Sequence, residues 1–551
     1  MAESTTVQMP APVGGINEAL PDFGLPPQYA VRCVNLIPYG GVMCPRQPFA
    51  VRITSTSIAE LPRWMYTYSG PSGDQLVILT EDGTGFILNP DLTLADATSG
   101  IDGVEQSVGF NFDGKIAYTA YPTTGPLQYE PVGGGGSISF TMPAIGEWSA
   151  ATPEQITGGH PFKSRVYWWS EDFRSMTYTA VNAIGGQLEY FPLSTVAQTG
   201  GTVRCITSLT MDGGSGPDDY LAIVLTTGEV ILYQGSDPGA SNDWSLVGRF
   251  MVPPPIHAGA VTRVGGDMLM LTPQGLIPLQ QYAKAALGQI KVDWLDAINP
   301  VIRSEFNDAR VPGVLIGKFG NISYLPYRRW LVAITGPLPA PLQIPSLEES
   351  MFGSCYVFVP DASAWTSFEI NQTDPSTEAG NEYLSVPKLR YGILAMAEAN
   401  GKVYAIIRTK DDDETDRPRL VEYILEDGIP VSNDPGDLPI RCGWTRGNLP
   451  LEPDATVSEA EITWAKNPDD GTDILRWYYR VSIDFKPSEI KWESSGNDAD
   501  DSNVSAHRFS VNGIGSSFQE TIIFDVKYTK LSTERAVRLY KSELRIEGFK
   551  R

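Results

Sequence analysis

The chain is poor in the residues that most often carry chemistry. Among 551 residues there are three histidines, His160, His257 and His507, and five cysteines, Cys33, Cys44, Cys205, Cys355 and Cys442. The cysteines are scattered and odd in number. With no Cys-x-x-Cys and no Cys/His pairing, neither a zinc site nor a disulfide framework is indicated. Cys205 and Cys355 lie in strand-like apolar runs and read as buried free thiols, a usage that fits folding in a reducing cytosol. No run of eighteen apolar residues exists, so no transmembrane helix or membrane insertion is expected. The opening Met1-Ala-Glu-Ser-Thr-Thr6 has neither a basic start nor an apolar core, and no secretory signal is read there.

The scarcity extends to motifs. No Gly-rich stretch runs into Gly-Lys-Ser/Thr, which excludes a phosphate-cradling loop. A nucleophilic triad needs a placed histidine, yet His160 precedes a proline and His257 follows Pro253-Pro-Pro-Ile256. Both read as loop residues, and no Gly-x-Ser-x-Gly elbow accompanies them. The 65 acidic side chains offer so many pairs that no carboxylate pair stands out as a glycosidase site. Oxygen-rich stretches at Asn467–Asp473 and Asp498–Asn503 lack the spacing and closing Glu of a calcium loop and read as solvated loops. The chain is therefore expected not to be an enzyme, with no catalytic, cofactor or metal residue assigned.

Basic residues are also short, 41 against 65 acids, for a net charge of −24. Clamping nucleic-acid phosphates needs a basic face, so that mode of binding is disfavoured. Solubility accounts for most of the acid. A sharper reading is an acidic channel wall, which repels a polyanion and would let DNA slide without sticking.

What the chain has in quantity is hairpin. Leu221–Gln234 and Asp267–Gln280 are each an apolar strand, a turn holding Gly228 or Gly275, and a second apolar strand. Leu76–Leu88 and Met396–Ile407 repeat the pattern, and 54 Gly with 43 Pro supply turns. Strand pairs are predicted near 76–88, 108–121, 165–180, 203–234, 261–279, 329–335, 355–369 and 392–425. Their spacing is near that of four-stranded propeller blades. The fold class expected is all-β: a β-propeller-like domain, with an additional antiparallel β domain formed by the C-terminal region and the N-terminal arm. An elongated β-sandwich array is the alternative.

Three regions follow. Residues 1–60, punctuated by Pro and Gly, read as an extended N-terminal arm. Residues 61–440 form the propeller-like domain, with a helical crossover near 280–310 over Gln280–Leu287 and Asn299–Phe306, the latter with an Asn cap followed by Pro. Residues 441–551 form the C-terminal β domain, with strands at Arg476–Phe485 and Thr521–Tyr528. Gly133–Gly136 reads as a flexible tip, Asp411–Asp416 and Gly496–Asn503 as acidic loops, and Gly336–Pro345 as a stiff connector. Pro217–Asp219 and Asp237–Pro238 read as turn chemistry, and Trp168, Trp169 and Trp244 as core. From Lys527 onward the chain turns basic, a solvated strand face or a docking face for an acidic neighbour.

Three segments together resemble a known family. They are Ala11–Asn17 with Leu25–Pro38; Phe162–Trp168 with Ala183–Leu193 and Gly200-Gly201; and Ser208–Tyr220 with Gly228–Pro238, Trp244–Gly248 and Val264–Asp267. Their order and spacing resemble tailed-phage virion proteins of the nozzle, or tail tubular protein B, type from short-tailed phages. The resemblance covers roughly residues 10–280. It implies a propeller-bearing subunit of a homo-oligomeric, hexameric ring at the distal end of the tail, located in the virion after synthesis in the host cytoplasm. It also implies an adaptor or head-to-tail connector protein above the ring, tail fibres or tailspikes attached nearby, and genomic DNA leaving through the lumen without sequence-specific binding. The alternative is a receptor- or glycan-binding, or glycan-hydrolysing, propeller tail protein, suggested by the aromatic content and the tandem Trp168-Trp169.

Overall fold

The hairpin at 221–234 is the unit from which the fold is built. Pro217–Leu225 and Glu229–Gln234 run antiparallel with Ile223 opposite Ile231. The turn places Gly228 at φ +88°, and a Cβ there would lie 2.1 Å from the Val252 carbonyl oxygen, so only glycine fits. Val203–Asp212 and Ser245–Met251 flank the pair and complete a four-stranded sheet. The computed structural model describes every residue except 1–2, 54–61, 71–72, 82, 90–92, 99–102, 131–133, 213–216, 285–292, 307–319, 336–354, 371–391, 411–415, 424–439, 467–471, 484–485, 488–490, 495–504, 529–536 and 549–551.

The same plan recurs around a ring. The innermost strands of successive blades are Pro62–Gly70, Gly109–Phe112, Gly158–Phe162, Val203–Asp212, Val261–Val264, Asn321–Leu325 and Gly392–Ala399. Each packs on the next blade, and Gly392–Ala399 packs on Pro62–Gly70, closing the circle. The described residues thus form a seven-bladed β-propeller. Its last blade is completed by a strand from before the first: Phe49–Ile53 pairs with Asp416–Tyr423, Phe49 opposite Tyr423. One blade edge thereby ties the two ends of the ring together.

Blade five has three strands, Val261–Val264, Asp267–Thr272 and Gly275–Pro278, and a helical crossover covers its edge. The helices are Leu279–Lys284, Asp293–Asp296 and Asn299–Phe306. The Asn299 amide takes the place of a ladder partner. Its Oδ1 accepts from Leu276 N (2.7 Å) and its Nδ2 donates to Leu276 O (3.3 Å).

Beside the propeller lies a second β region, made from both ends of the chain. Glu3–Pro10, Arg32–Val34, Leu36–Tyr39 and Val42–Pro45 join Ile440–Thr445, Leu449–Lys466, Thr472–Ile483, Ser505–Tyr528 and Val537–Gly548. The 24-residue strand Ser505–Tyr528 pairs with three others. Arg32–Val34 also meets blade six through Val34 and Ser367, so sheet runs unbroken from one region into the other.

Two buried polar knots hold this arrangement. Arg446 and Glu520 pair at 2.8 Å with side chains 2% and 0% exposed. The same guanidinium donates to the carbonyls of Pro10 (2.7 Å) and Pro27, fastening the N-terminal segment. At the seam, Asn35 takes φ +54° and its amide bonds Glu369 N (2.9 Å) and O (2.8 Å). Arg46 donates to Asn35 Oδ1 at 2.7 Å while its guanidinium stacks over Phe49.

Several expectations are corrected. Among the described residues of 1–60 there are five strands, and four join the sheet with the C-terminal strands; the departure is Phe49–Ile53, expected in the arm and found completing the last propeller blade, because its backbone pairs with Asp416–Tyr423. The tip expected at Gly133–Gly136 is mostly strand: Gly134–Ser137 is the outer strand of blade two, and backbone pairing needs no side chains there. Pro217–Asp219 opens a strand, with Pro217 opposite Asp212 at the end of a ladder where a missing N–H is tolerated. The Gly336–Pro345 connector and nearly all of the Asp411–Asp416 and Gly496–Asn503 loops lie outside the described residues.

Candidate functional site

Where the seven innermost strands converge they leave a cavity of about 740 Å³. It takes lining residues from the whole length of the first inner strand, from Arg63 to Ser69, so it follows the propeller axis. Small residues keep the axis open. A Cβ on Gly109 would sit 2.5 Å from the Tyr66 ring, which lies against the bare backbone instead. Phe110, itself in the lining, packs at 5.6 Å from the buried Trp168.

The charged groups in the lining are mostly engaged. Arg63 pairs with Glu81 at 3.2 Å. Asp74 Oδ2 accepts from Asn400 N (3.0 Å), and Arg263 Nε donates to Gly265 O (3.1 Å). Glu398 is 7% exposed and its Oε2 accepts from Tyr327 N at 2.8 Å. Burial pushes the Glu398 carboxyl above the usual carboxylate range, against the pull of the Tyr327 and Arg328 amides.

The two described histidine side chains lie here as well. His160 is a strand residue, not the loop residue expected, because its position before Pro161 falls within Gly158–Phe162. Its Nε2 is 3.0 Å from Ser208 Oγ. Burial, with Arg263 nearby, lowers its pKa to about 3. An imidazole so reluctant to take a proton is a poor general base at neutral pH, so the His–Ser contact reads as a structural hydrogen bond. His257 does lie between strands, with Nε2 2.6 Å from Gly320 O. Its ring also accepts from Gly259 N (3.1 Å), which fits a neutral tautomer. Burial lowers its pKa to about 4.

Other expected positions serve the walls. Trp168 and Trp169 are 0% and 1% exposed, and Trp244 stacks on Tyr233 at 5.0 Å. All five cysteines are buried free thiols, and burial pushes Cys33 and Cys205 up to about 12, far from a reactive thiolate. No group of three or more metal-ligating side chains occurs among the described residues. No helix among them is long and apolar enough to cross a membrane. In the basic C-terminal stretch, Lys541 pairs with Glu543, and Arg545 lies 3.9 Å from Glu459. The cavity itself was not read from the sequence, because its lining comes from seven separated strands. The recurrence of hairpins was the only signal that an axis existed.

Fold and cavity together define a β-propeller with an axial pocket, joined to a second β region. No protein-family model matches the chain, and no curated protein matches it. Similar solved structures include the Cps50 (Swd1) β-propeller domain of Myceliophteria thermophila, at 11% identity over 68% of this chain and 100% of that one, TM-score 0.37. A 6-phosphogluconolactonase-type protein of Bacteroides fragilis is 13% identical over 66% of this chain and 95% of its own, TM-score 0.32. The exo-β-1,3-galactanase of Phanerochaete chrysosporium is 10% identical over 91% of this chain and 99% of its own, TM-score 0.22. Likenesses at this level concern the mainly-β fold class alone, and no activity is taken from them.

Proposed function

We propose that the chain is a structural virion protein: a subunit of a closed ring forming the tail nozzle of a short-tailed phage, extending the portal–adaptor channel through which genomic DNA is ejected. One observation carries the reading. The described residues of the segments that resemble the nozzle family serve as architecture and do not converge as reactive groups. Ala11–Asn17 crosses from the second region to the propeller, where Gly15 bridges Trp365. Leu25–Pro38 contributes Asn35 to the seam, and Gly228 and Trp244 shape blade four.

The axial cavity has the volume of a small-molecule site. DNA would therefore pass between copies around a common axis, not through one propeller. The adaptor protein and the fibres or tailspikes are the partners this reading requires, and the job is mechanical, not enzymatic. A head-to-tail ring closes only if one face of each copy fits a different face of the next.

Electron microscopy of the purified protein and of virions tests this. The expected outcome is a six-fold ring at the tail tip. A monomer at high concentration that is also absent from particles refutes the proposal. A second arm tests the acidic lumen: replacing several lumen-facing acids with Lys should slow ejection without blocking assembly.

A further inference from the structure

The axial cavity has a composition that the ring does not require. Its charged groups neutralise one another or bond locally: Arg63 with Glu81, Asp74 with Asn400, Arg263 with Gly265, Glu398 with Tyr327. A free anion would meet three carboxylates in the lining, and a free cation two guanidiniums. Between these lie the hydroxyls and amides of Thr67, Asn111, Thr262 and Ser323, beside the rings of Tyr66 and Phe110. Two further lining residues, and the second oxygen of Glu398, hold a buried polar atom without a partner in the protein: Thr207 Oγ1, Trp169 Nε1 and Glu398 Oε1. Native interiors rarely leave such atoms unsatisfied without a reason.

We propose that the axial cavity binds a short neutral oligosaccharide. The volume of about 740 Å³ is within the range of ligand pockets, which combine ring faces with a few placed polar groups. Sugar hydroxyls donate and accept, which suits a wall holding hydroxyls, amides and an indole N–H. The flat C–H faces of a pyranose suit the rings of Tyr66 and Phe110. A polar ligand without formal charge gains hydrogen bonds here, whereas an anion must be desolvated against three carboxylates and a cation against two guanidiniums. Asn111 and Arg263 line the cavity and are exposed, so they mark an opening through which a ligand enters.

The test uses the purified full-length chain on an array of neutral and acidic oligosaccharides. Titration calorimetry with maltotriose, cellotriose and chitotriose follows. The substitution Asn111→Trp closes the opening from an exposed position, and Phe110→Ala removes one ring face. Saturable binding to a neutral glycan is expected, weakened at least about tenfold in Asn111→Trp while its thermal midpoint matches the parent. The proposal is overturned by the absence of saturable binding across the array, by preference for acidic glycans, or by unchanged affinity in both variants. Ring formation is read separately by microscopy, so failure here leaves the nozzle reading standing, and the reverse holds.

Discussion

The propeller and the second β region use the same alternating strands but find their partners at different distances along the chain. Within a blade each strand pairs mainly with its sequence neighbour, as Val230 does with Val224. In the second region Glu3 pairs with Gly548, and Thr456 with both Ile514 and Glu547. Local pairs need little loop closure, whereas distant ones must offset a larger entropy cost before any contact rewards them. The chain meets that demand with buried polar fasteners at the joints, Arg446–Glu520 within the second region and Asn35–Arg46–Glu369 at the seam. Such fasteners specify one register, while apolar packing alone tolerates several.

The largest effect that would break this contrast is expected at Glu520. Glu520→Ala leaves the Arg446 guanidinium buried without its counter-charge, at a cost of about 3–5 kcal/mol. Urea denaturation measures the loss, and limited proteolysis should show the N-terminal segment released first. Replacing both partners, Arg446→Met with Glu520→Leu, should cost less than the single change. The propeller counterpart is Phe49→Ala in the closing strand, where the ring is 0% exposed and packs at 5.3 Å from Tyr423. Its loss is also about 3–5 kcal/mol, with hydrogen-exchange protection falling in blade seven first. If both variants open the same amides at the same urea concentration, the two regions form one cooperative unit and the contrast is only topological.

Legibility in the sequence follows the same divide. The hairpins at 76–88, 221–234 and 267–280 could be read because their turn glycines and alternation lie within a dozen or so residues. Asn299 was legible as a cap before a proline, but its bond to Leu276 was not, since nothing in a helix signature names the strand it faces. Phe49–Ile53 was assigned to the arm because its partner, Asp416–Tyr423, lies far down the chain. Gly134–Ser137 was missed because edge strands held by backbone alone have no apolar period. Of the cavity, the proline neighbours of His160 and His257 suggested loops. Only tertiary placement brought both rings to one axis.

A pH dependence sharpens the comparison from the propeller side. His257 is 6% exposed and its pKa is lowered to about 4 by burial, whereas an unfolded histidine titrates near its usual value of about 6.5. Below that value the unfolded chain takes up a proton that the folded chain refuses. The contribution is therefore complete above pH of about 6.5 and is lost as pH falls toward about 4, by about 3 kcal/mol at most. His257→Gln should flatten stability across this window when urea midpoints are compared at neutral and mildly acidic pH. A parent and variant with parallel profiles would mean that His257 takes up its proton without opening the blades.

The smallest expected effect compares glycines in the two settings. Gly15 has φ +68°, and a Cβ there would lie 2.2 Å from the Trp365 carbonyl oxygen, at the contact between the N-terminal segment and blade six. Gly186 has φ +89° and would meet nothing within 4 Å. Gly186→Ala bears only the left-handed conformation, about 1 kcal/mol. Gly15→Ala adds a collision with backbone, for a further loss of about 1–3 kcal/mol. The carbonyl cannot retreat freely, because it accepts from Ile16 N at 2.8 Å. Thermal denaturation of the two variants reads the difference directly. Equal losses would mean that the Trp365 strand yields, and that the seam between the regions is softer than the blades it joins.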